Sequence, residues 1–331
     1  MNTPLLQVND LTVSFFNRHS EVQAVRGISF EVRPGEILGV VGESGSGKSV
    51  TAHAILRLLK ESGRITGGDI RYRGESLLGK SEAEMRRLRG NDIAMIFQDP
   101  MTSLNPVFTI GSQISDIIRR HQGVSKVQAN KAAVEMLRLV GIPSPEKRCR
   151  NYPHEFSGGM RQRVLIAMAL SCHPRLLIAD EPTTALDVTI QAEILQLLLD
   201  LKEKLQTSIL FITHDLGVVA NTCSRVIVMY GGLIMEKGTV SEVFRRPLHP
   251  YTVGLLNSLP GARQEKQRLV PIPGNPPDSS QRTSGCPFAG RCPHTMAVCR
   301  EKPPGYYQEG TDHRAMCWLL DGNYRERRTG Q

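Results

Sequence analysis

The chain has 331 residues, 40 % hydrophobic and 22 % charged, which suits about two folded domains and excludes a disordered polymer. No apolar stretch reaches the ~18 residues that span a bilayer; the longest is Val164–Leu170. The net charge is +9, but the positive residues are scattered and the densest group, Arg325, Arg327 and Arg328, lies in the tail, so charge alone argues for no nucleic-acid partner. The N-terminus shows no charged segment followed by an apolar core. No secretory signal is therefore expected, and the chain is expected to work on the cytoplasmic side.

Along the chain, alternation predicts strands over Leu5–Phe16 and Val22–Val32, and a continuous apolar run predicts a buried strand over Glu36–Val41. A glycine-rich turn follows, then a helix through Leu59. Ile93–Phe97 reads as a strand, and Ile110–Arg120, Lys126–Val140 and Gly158–Leu170 read as helices. Short apolar strands return at Leu176–Ala179, Ser208–Thr213 and Val226–Met229. Strands alternating with helices imply an α/β fold with a mostly parallel sheet and a helical insertion at about residues 100–170. From Pro247 onwards prolines punctuate a segment with little periodicity. We place a boundary near residue 258, giving a first domain over 1–258 and a small appended module over 259–331.

Gly42-Glu43-Ser44-Gly45-Ser46-Gly47-Lys48-Ser49 matches G-x-x-x-x-G-K-[ST] between a predicted strand and a predicted helix. Glycines let the backbone wrap a phosphate chain with its N–H groups turned inward at a helix N-terminus. Lys48 can then reach the β- and γ-phosphates while the Ser49 hydroxyl ligates Mg²⁺. This pattern predicts a nucleoside triphosphate ligand.

Leu176–Ala179 runs into Asp180 and Glu181, two carboxylates at the end of a parallel strand, where open α/β sheets bind their ligands. Asp180 suits a Mg²⁺ partner and Glu181 suits the orientation or deprotonation of an attacking water. Gln98 and His214 also follow strands; Gln98 could sense the phosphate or the metal, and His214 could donate to a γ-phosphate. Ser157-Gly158-Gly159 opens a helix with Ser157 as N-cap, a second cluster of N–H groups suited to phosphate. One phosphate loop and one such second cradle per chain make most sense across a dimer.

These motifs, with Ala185-Leu186-Asp187, occur in the order of an ABC-type ATPase, which the chain resembles over about residues 5–245. The resemblance implies a P-loop (RecA-like) core that binds ATP and Mg²⁺ between two head-to-tail ATPase domains, the phosphate loop of one facing the Ser-Gly-Gly motif of the other. It also implies that Phe15 stacks on adenine and that Asp187 lies at the dimer seam. Phe156 and Met160 stand where Leu and Gln are usual. Arg246-Pro247-Leu248-His249-Pro250-Tyr251-Thr252, the run Asp99-Pro100-Met101-Thr102-Ser103-Leu104-Asn105-Pro106 and the cysteine-bearing tail look like ATPases of bacterial oligopeptide, dipeptide and nickel importers. Such a subunit would pair with a homologous, non-identical ATPase on the cytoplasmic face of the inner membrane. Two permease subunits and an extracytoplasmic solute-binding protein would complete the assembly. Dipeptides or oligopeptides are the expected solute, with nickel or another small solute as the alternative. A soluble ABC ATPase acting on nucleic acid or ribosomes is a further alternative, and it lacks the importer-type tail.

Cys149, Cys172 and Cys223 are isolated, whereas Cys286, Cys292, Cys299 and Cys317 are spaced C-x5-C-x6-C-x17-C. In a reducing compartment clustered thiols point to metal rather than disulfides. Four thiolates could enclose zinc or hold a [4Fe-4S] cluster, and they could equally be reduced thiols in a small core. The wide spacing suits a cubane, and the resemblance to peptide-importer ATPases points the same way.

Overall fold

The computed structural model describes residues 3–17, 20–98, 103–184, 186–259, 271–277, 284–322 and 324. Asp99, Pro100, Met101, Thr102, Ala185, Arg325, Arg327 and Arg328 lie outside the described residues. In chain order the strands are β1 (Leu6–Asn17), β2 (Ser20–Val32), β3 (Ile37–Val41), β4 (Gly63–Tyr72), β5 (Glu75–Ser76) and β6 (Ile93–Ile96). They continue with β7 (Leu176–Asp180), β8 (Ser208–Thr213), β9 (Arg225–Tyr230), β10 (Leu233–Thr239), β11 (Tyr307–Gln308) and β12 (Arg314–Ala315). Chain contacts divide the fold into two units: Met1–Leu5, Val32–Glu36 and Gly79–Phe211 in one, Leu6–Glu31, Ile37–Leu78 and Ile212–Gln331 in the other.

In the first unit β6 and β7 run parallel, Ile93 opposite Leu176 and Ile96 opposite Ala179. All five residues of β7 are buried, as expected of a strand covered on both faces. Helices Ile110–Gln122, Lys126–Leu139 and Gly158–Leu170 form the predicted insertion. Ile110, Ile114 and Ile118 give the first of them a buried stripe at i, i+4, i+8, and Ala129, Ala133 and Leu137 do the same for the second. Each start has a side-chain cap: Thr109 accepts from Ser112 N–H, Ser125 and Gln128 form a capping box, and Ser157 accepts from Met160 N–H.

The second unit holds an antiparallel sheet of order β2-β1-β4-β5 and a mixed sheet. There β3 pairs parallel with β9, β9 antiparallel with β10, and β10 antiparallel with β12. Its core gathers Val41, Val226, Val228, Tyr230, Met235 and Tyr251 with Phe288 and Met316 from the tail. Glu236 of β10 is fully buried. Its carboxylate accepts the N–H groups of Leu248 and His249, both at 2.8 Å, and lies 2.7 Å from His313 Nε2, so the acid is satisfied without water.

Three elements differ from expectation. The helix after the phosphate loop spans Lys48–Ile55 rather than reaching Leu59, because Arg57 turns into the left-handed region at φ 52. β4 and β10 are strands that alternation alone did not predict. Among the described residues, no helix is long and apolar enough to cross a membrane.

Candidate functional site

In the second unit the loop Gly42–Ser49 joins β3 to the helix Lys48–Ile55. Gly42 adopts φ +154, and a Cβ there would lie 2.1 Å from the Met229 carbonyl oxygen. At Gly47, φ is +99 and a Cβ would meet the Ala24 carbonyl oxygen at 2.6 Å. Only glycine fits either position. Gly47 is also the helix N-cap, which sets the helix N-terminus, with its first-turn N–H groups and positive dipole end, against the loop. Lys48 is 6 % exposed. Its Nζ donates to the carbonyls of Gly42 at 2.7 Å and Glu43 at 3.0 Å, and lies 3.5 Å from Ser46 Oγ, so the ammonium is folded over the loop it would serve. Ser44 and Gly45 are exposed and Ser49 is half-buried. Phe15 in β1 is half-buried opposite Gly63, where a Cβ would meet its ring at 2.8 Å. His214, just past β8, is exposed, and Asp215 beside it caps the helix Leu216–Thr222.

In the first unit β7 delivers Asp180, 2 % exposed, and then Glu181. Glu181 has φ 47, the left-handed conformation that turns the chain sharply as it leaves β7. Its Oε2 accepts from Gln98 Nε2 at 3.0 Å and from Thr184 Oγ1 at 2.9 Å. The structure thus brings Gln98 and Glu181 together. Thr184 was not singled out from the sequence, and its neighbourhood to the acidic strand end was the available signal. Ser157 caps its helix as expected, and Gly159 is small by necessity, since a Cβ would press on Ile190 at 2.8 Å. Asp187 is itself a cap, accepting from Ile190 N–H at 3.0 Å.

The tail cysteines do not show the expected metal site. Burial pushes Cys317 up to about 12. Burial does the same to Cys286, also up to about 12, and raises Cys292. Among the described residues no group of three or more His, Cys, Asp or Glu side chains could hold a metal ion. The expected closed ligand shell is not formed. Cys286 and Cys292 pack against the Tyr230–Phe288 core, and Cys317 belongs to a separate cluster with Leu248 and Leu319.

Ser49 in the second unit and Gln98 and Asp180 in the first each carry an oxygen donor of the hard type that Mg²⁺ takes.

Residues 25–184 match the ABC transporter family and residues 235–299 match the oligopeptide/dipeptide transporter C-terminal region. A Sinorhizobium fredii protein described as "Probable peptide ABC transporter ATP-binding protein y4tR" is 56 % identical over 95 % of this chain and 94 % of its own length. The oligopeptide transport ATP-binding protein OppD of Bacillus subtilis is 54 % identical over 96 % of this chain and 89 % of its own. A solved dimer of the ATP-binding cassette MJ0796, in a post-hydrolysis state with ADP and Pi, superposes with a TM-score of 0.63 at 26 % identity, covering 71 % of this chain and 98 % of that one. The chain is an ABC ATPase and belongs to the ATP-binding proteins of oligopeptide/dipeptide-type ABC transporters.

Proposed function

We propose that this ATPase energises import of oligopeptides or dipeptides through a membrane ABC transporter. The observation that carries the reading is the loop Gly42–Ser49, with two glycines that admit no side chain and a lysine folded over it, in a chain whose tail matches the peptide-transporter region. In this reading Gly42, Ser44, Gly45, Ser46, Gly47, Lys48 and Ser49 hold the phosphates, and Phe15 stacks on the adenine. Asp180, Ser49 and Gln98 hold Mg²⁺, which when bound offsets phosphate charge. Glu181 orients and deprotonates water, with Gln98 and Thr184 fixing its carboxylate, and His214 donates to the terminal phosphate. Ser157, Gly158, Gly159 and Asp187 serve the nucleotide of a second ATPase chain. Two permeases and a solute-binding protein complete an assembly at the cytoplasmic face of the inner membrane.

We further propose that Cys286, Cys292, Cys299 and Cys317 bind a [4Fe-4S] cluster, or alternatively zinc, as a structural element. The spacing C-x5-C-x6-C-x17-C of the four cysteines within one tail supports this, since four thiolates can satisfy either centre.

Co-expression with the permeases and partner ATPase, followed by reconstitution with the binding protein in vesicles, tests the transport reading. Labelled peptide should enter with MgATP, and ATP turnover should rise when peptide-loaded binding protein is present. Transport-level turnover by the isolated chain, or no response to any peptide, would overturn it.

A further inference from the structure

The phosphate loop is not held by its own strand and helix alone. Glu43, its second residue, is gripped at three points. Its carboxylate pairs with Arg291 Nη1 of the tail at 2.7 Å. Its N–H donates to the Tyr251 hydroxyl at 3.0 Å. Its carbonyl accepts the Lys48 ammonium, also at 3.0 Å.

Arg291 in turn makes three further hydrogen bonds. Nη1 also donates to the Tyr230 hydroxyl at 3.1 Å, Nε to the Pro273 carbonyl at 2.9 Å and Nη2 to the Ile272 carbonyl at 3.2 Å. Only 9 % of the side chain is exposed. Four acceptors around one planar fork suit a guanidinium and not an ammonium. The support beneath it is aromatic: Tyr230, Tyr251 and Phe288 have ring centroids 4.6 to 5.4 Å apart.

A carboxylate in a loop that must cradle a polyphosphate is an electrostatic liability, because like charges a few ångströms apart repel strongly where water is partly excluded. Arg291 cancels that charge. It also fixes the residue whose carbonyl orients Lys48. We propose that Arg291, from the cysteine-bearing tail, is a positioning residue for nucleotide binding that holds the Glu43 carboxylate and neutralises its charge against the polyphosphate. This rests on the reading that residues 42–49 bind nucleotide phosphates. It makes the tail a working part of the ATP site, one residue from Cys292.

The test is a charge cycle on the full chain. Arg291→Gln, Glu43→Gln and the double variant are titrated with a non-hydrolysable ATP analogue and Mg²⁺ at low and at high salt, beside Lys48→Ala. Arg291→Gln should weaken binding about five- to tenfold at low salt, less at high salt, because an unpaired surface-near charge is screened. Glu43→Gln alone should bind at least as tightly as the parent. The double variant should return to within about twofold of it, which loss of packing alone would not produce. Parental affinity in Arg291→Gln, or a double variant as weak as Arg291→Gln, overturns the proposal. Should Arg291→Gln fail to fold, Glu43→Gln decides by itself: clearly weaker binding contradicts the charge argument. Parental affinity in Lys48→Ala would instead sink the phosphate-loop reading, so the two failures are distinguishable.

Discussion

Gln98 Nε2 donates to Glu181 Oε2 at 3.0 Å, joining the end of β6 to the residue that follows β7. Thr184 Oγ1 bonds the same oxygen at 2.9 Å, so the carboxylate is oriented by two neutral donors while its backbone sits in the left-handed region. A group held this firmly is suited to aim at a water molecule.

Glu181→Gln should therefore retain ATP binding and slow hydrolysis by about 10²- to 10⁴-fold. The amide keeps the shape and an acceptor for Gln98 and Thr184, and removes the base. Nucleotide titration together with phosphate release measures both quantities, and near-normal turnover would remove Glu181 from the role.

Lys48→Ala should lower nucleotide affinity itself, by at least about tenfold, because a charge-assisted contact to the phosphates is lost. The carbonyls of Gly42 and Glu43 lose their donor as well, so the loop should also lose some order. Equilibrium binding at fixed Mg²⁺ reads the first effect and amide hydrogen exchange over residues 42–49 the second. Unchanged affinity would contradict the assignment.

His249 sets an expectation for pH. It is fully buried, and burial pulls it down to about 4 even though Glu236 beside it favours the charged form. Its Nδ1 accepts the Tyr251 N–H at 3.0 Å, which requires that nitrogen to be unprotonated. An unfolded histidine titrates near ~6.5. Between those values the folded chain binds fewer protons than the unfolded one, so this contribution is complete above ~6.5 and is lost as pH falls towards about 4. The melting temperature should fall on acidification over that window, and His249→Gln should flatten the slope. Parallel slopes in the two proteins would refute this.

Much of the fold was legible where burial writes a period into the chain. β3, β7 and β8 are short apolar runs, and the isoleucines of Ile110–Gln122 recur with helical spacing. β4 was hidden because GRITGGDIRY is glycine-rich and mostly solvent-facing, with Ile70 and Tyr72 its buried residues. β10 was hidden by Glu236, a residue that reads as exposed and is buried because Leu248, His249 and His313 satisfy it. The site was legible in its local motifs: the glycines, Lys48, the Asp180–Glu181 pair and the Ser157 cap. Arg291 and Tyr251 were not legible as partners of Glu43, since nothing local brings residues 43, 251 and 291 together. The tail's prolines suggested an appendage, while Phe288 and Met316 are core residues of the second unit.

Metal analysis tests the tail. Anaerobically purified chain should contain roughly four irons with matching sulfide and a broad visible absorption if the cluster reading holds. One zinc supports the alternative, and neither metal refutes both. Replacing Cys317 with Ser should lower metal content in either case, and unchanged content would exclude that residue as a ligand.

The pairing of β12 with β10 has a consequence for the chain as an object that must stay dispersed. Glu236 and Lys237 lie opposite Ala315 and Arg314, so the tail pairs the middle of β10, and the two-residue β11 lies outside β12. Short margins resist edge-to-edge pairing with other chains. A chain cut near residue 258 would unpair the middle of β10 and leave Glu236 without His313. Such a fragment should self-associate through that strand, and its solubility, rather than its nucleotide chemistry, would be the first property to fail.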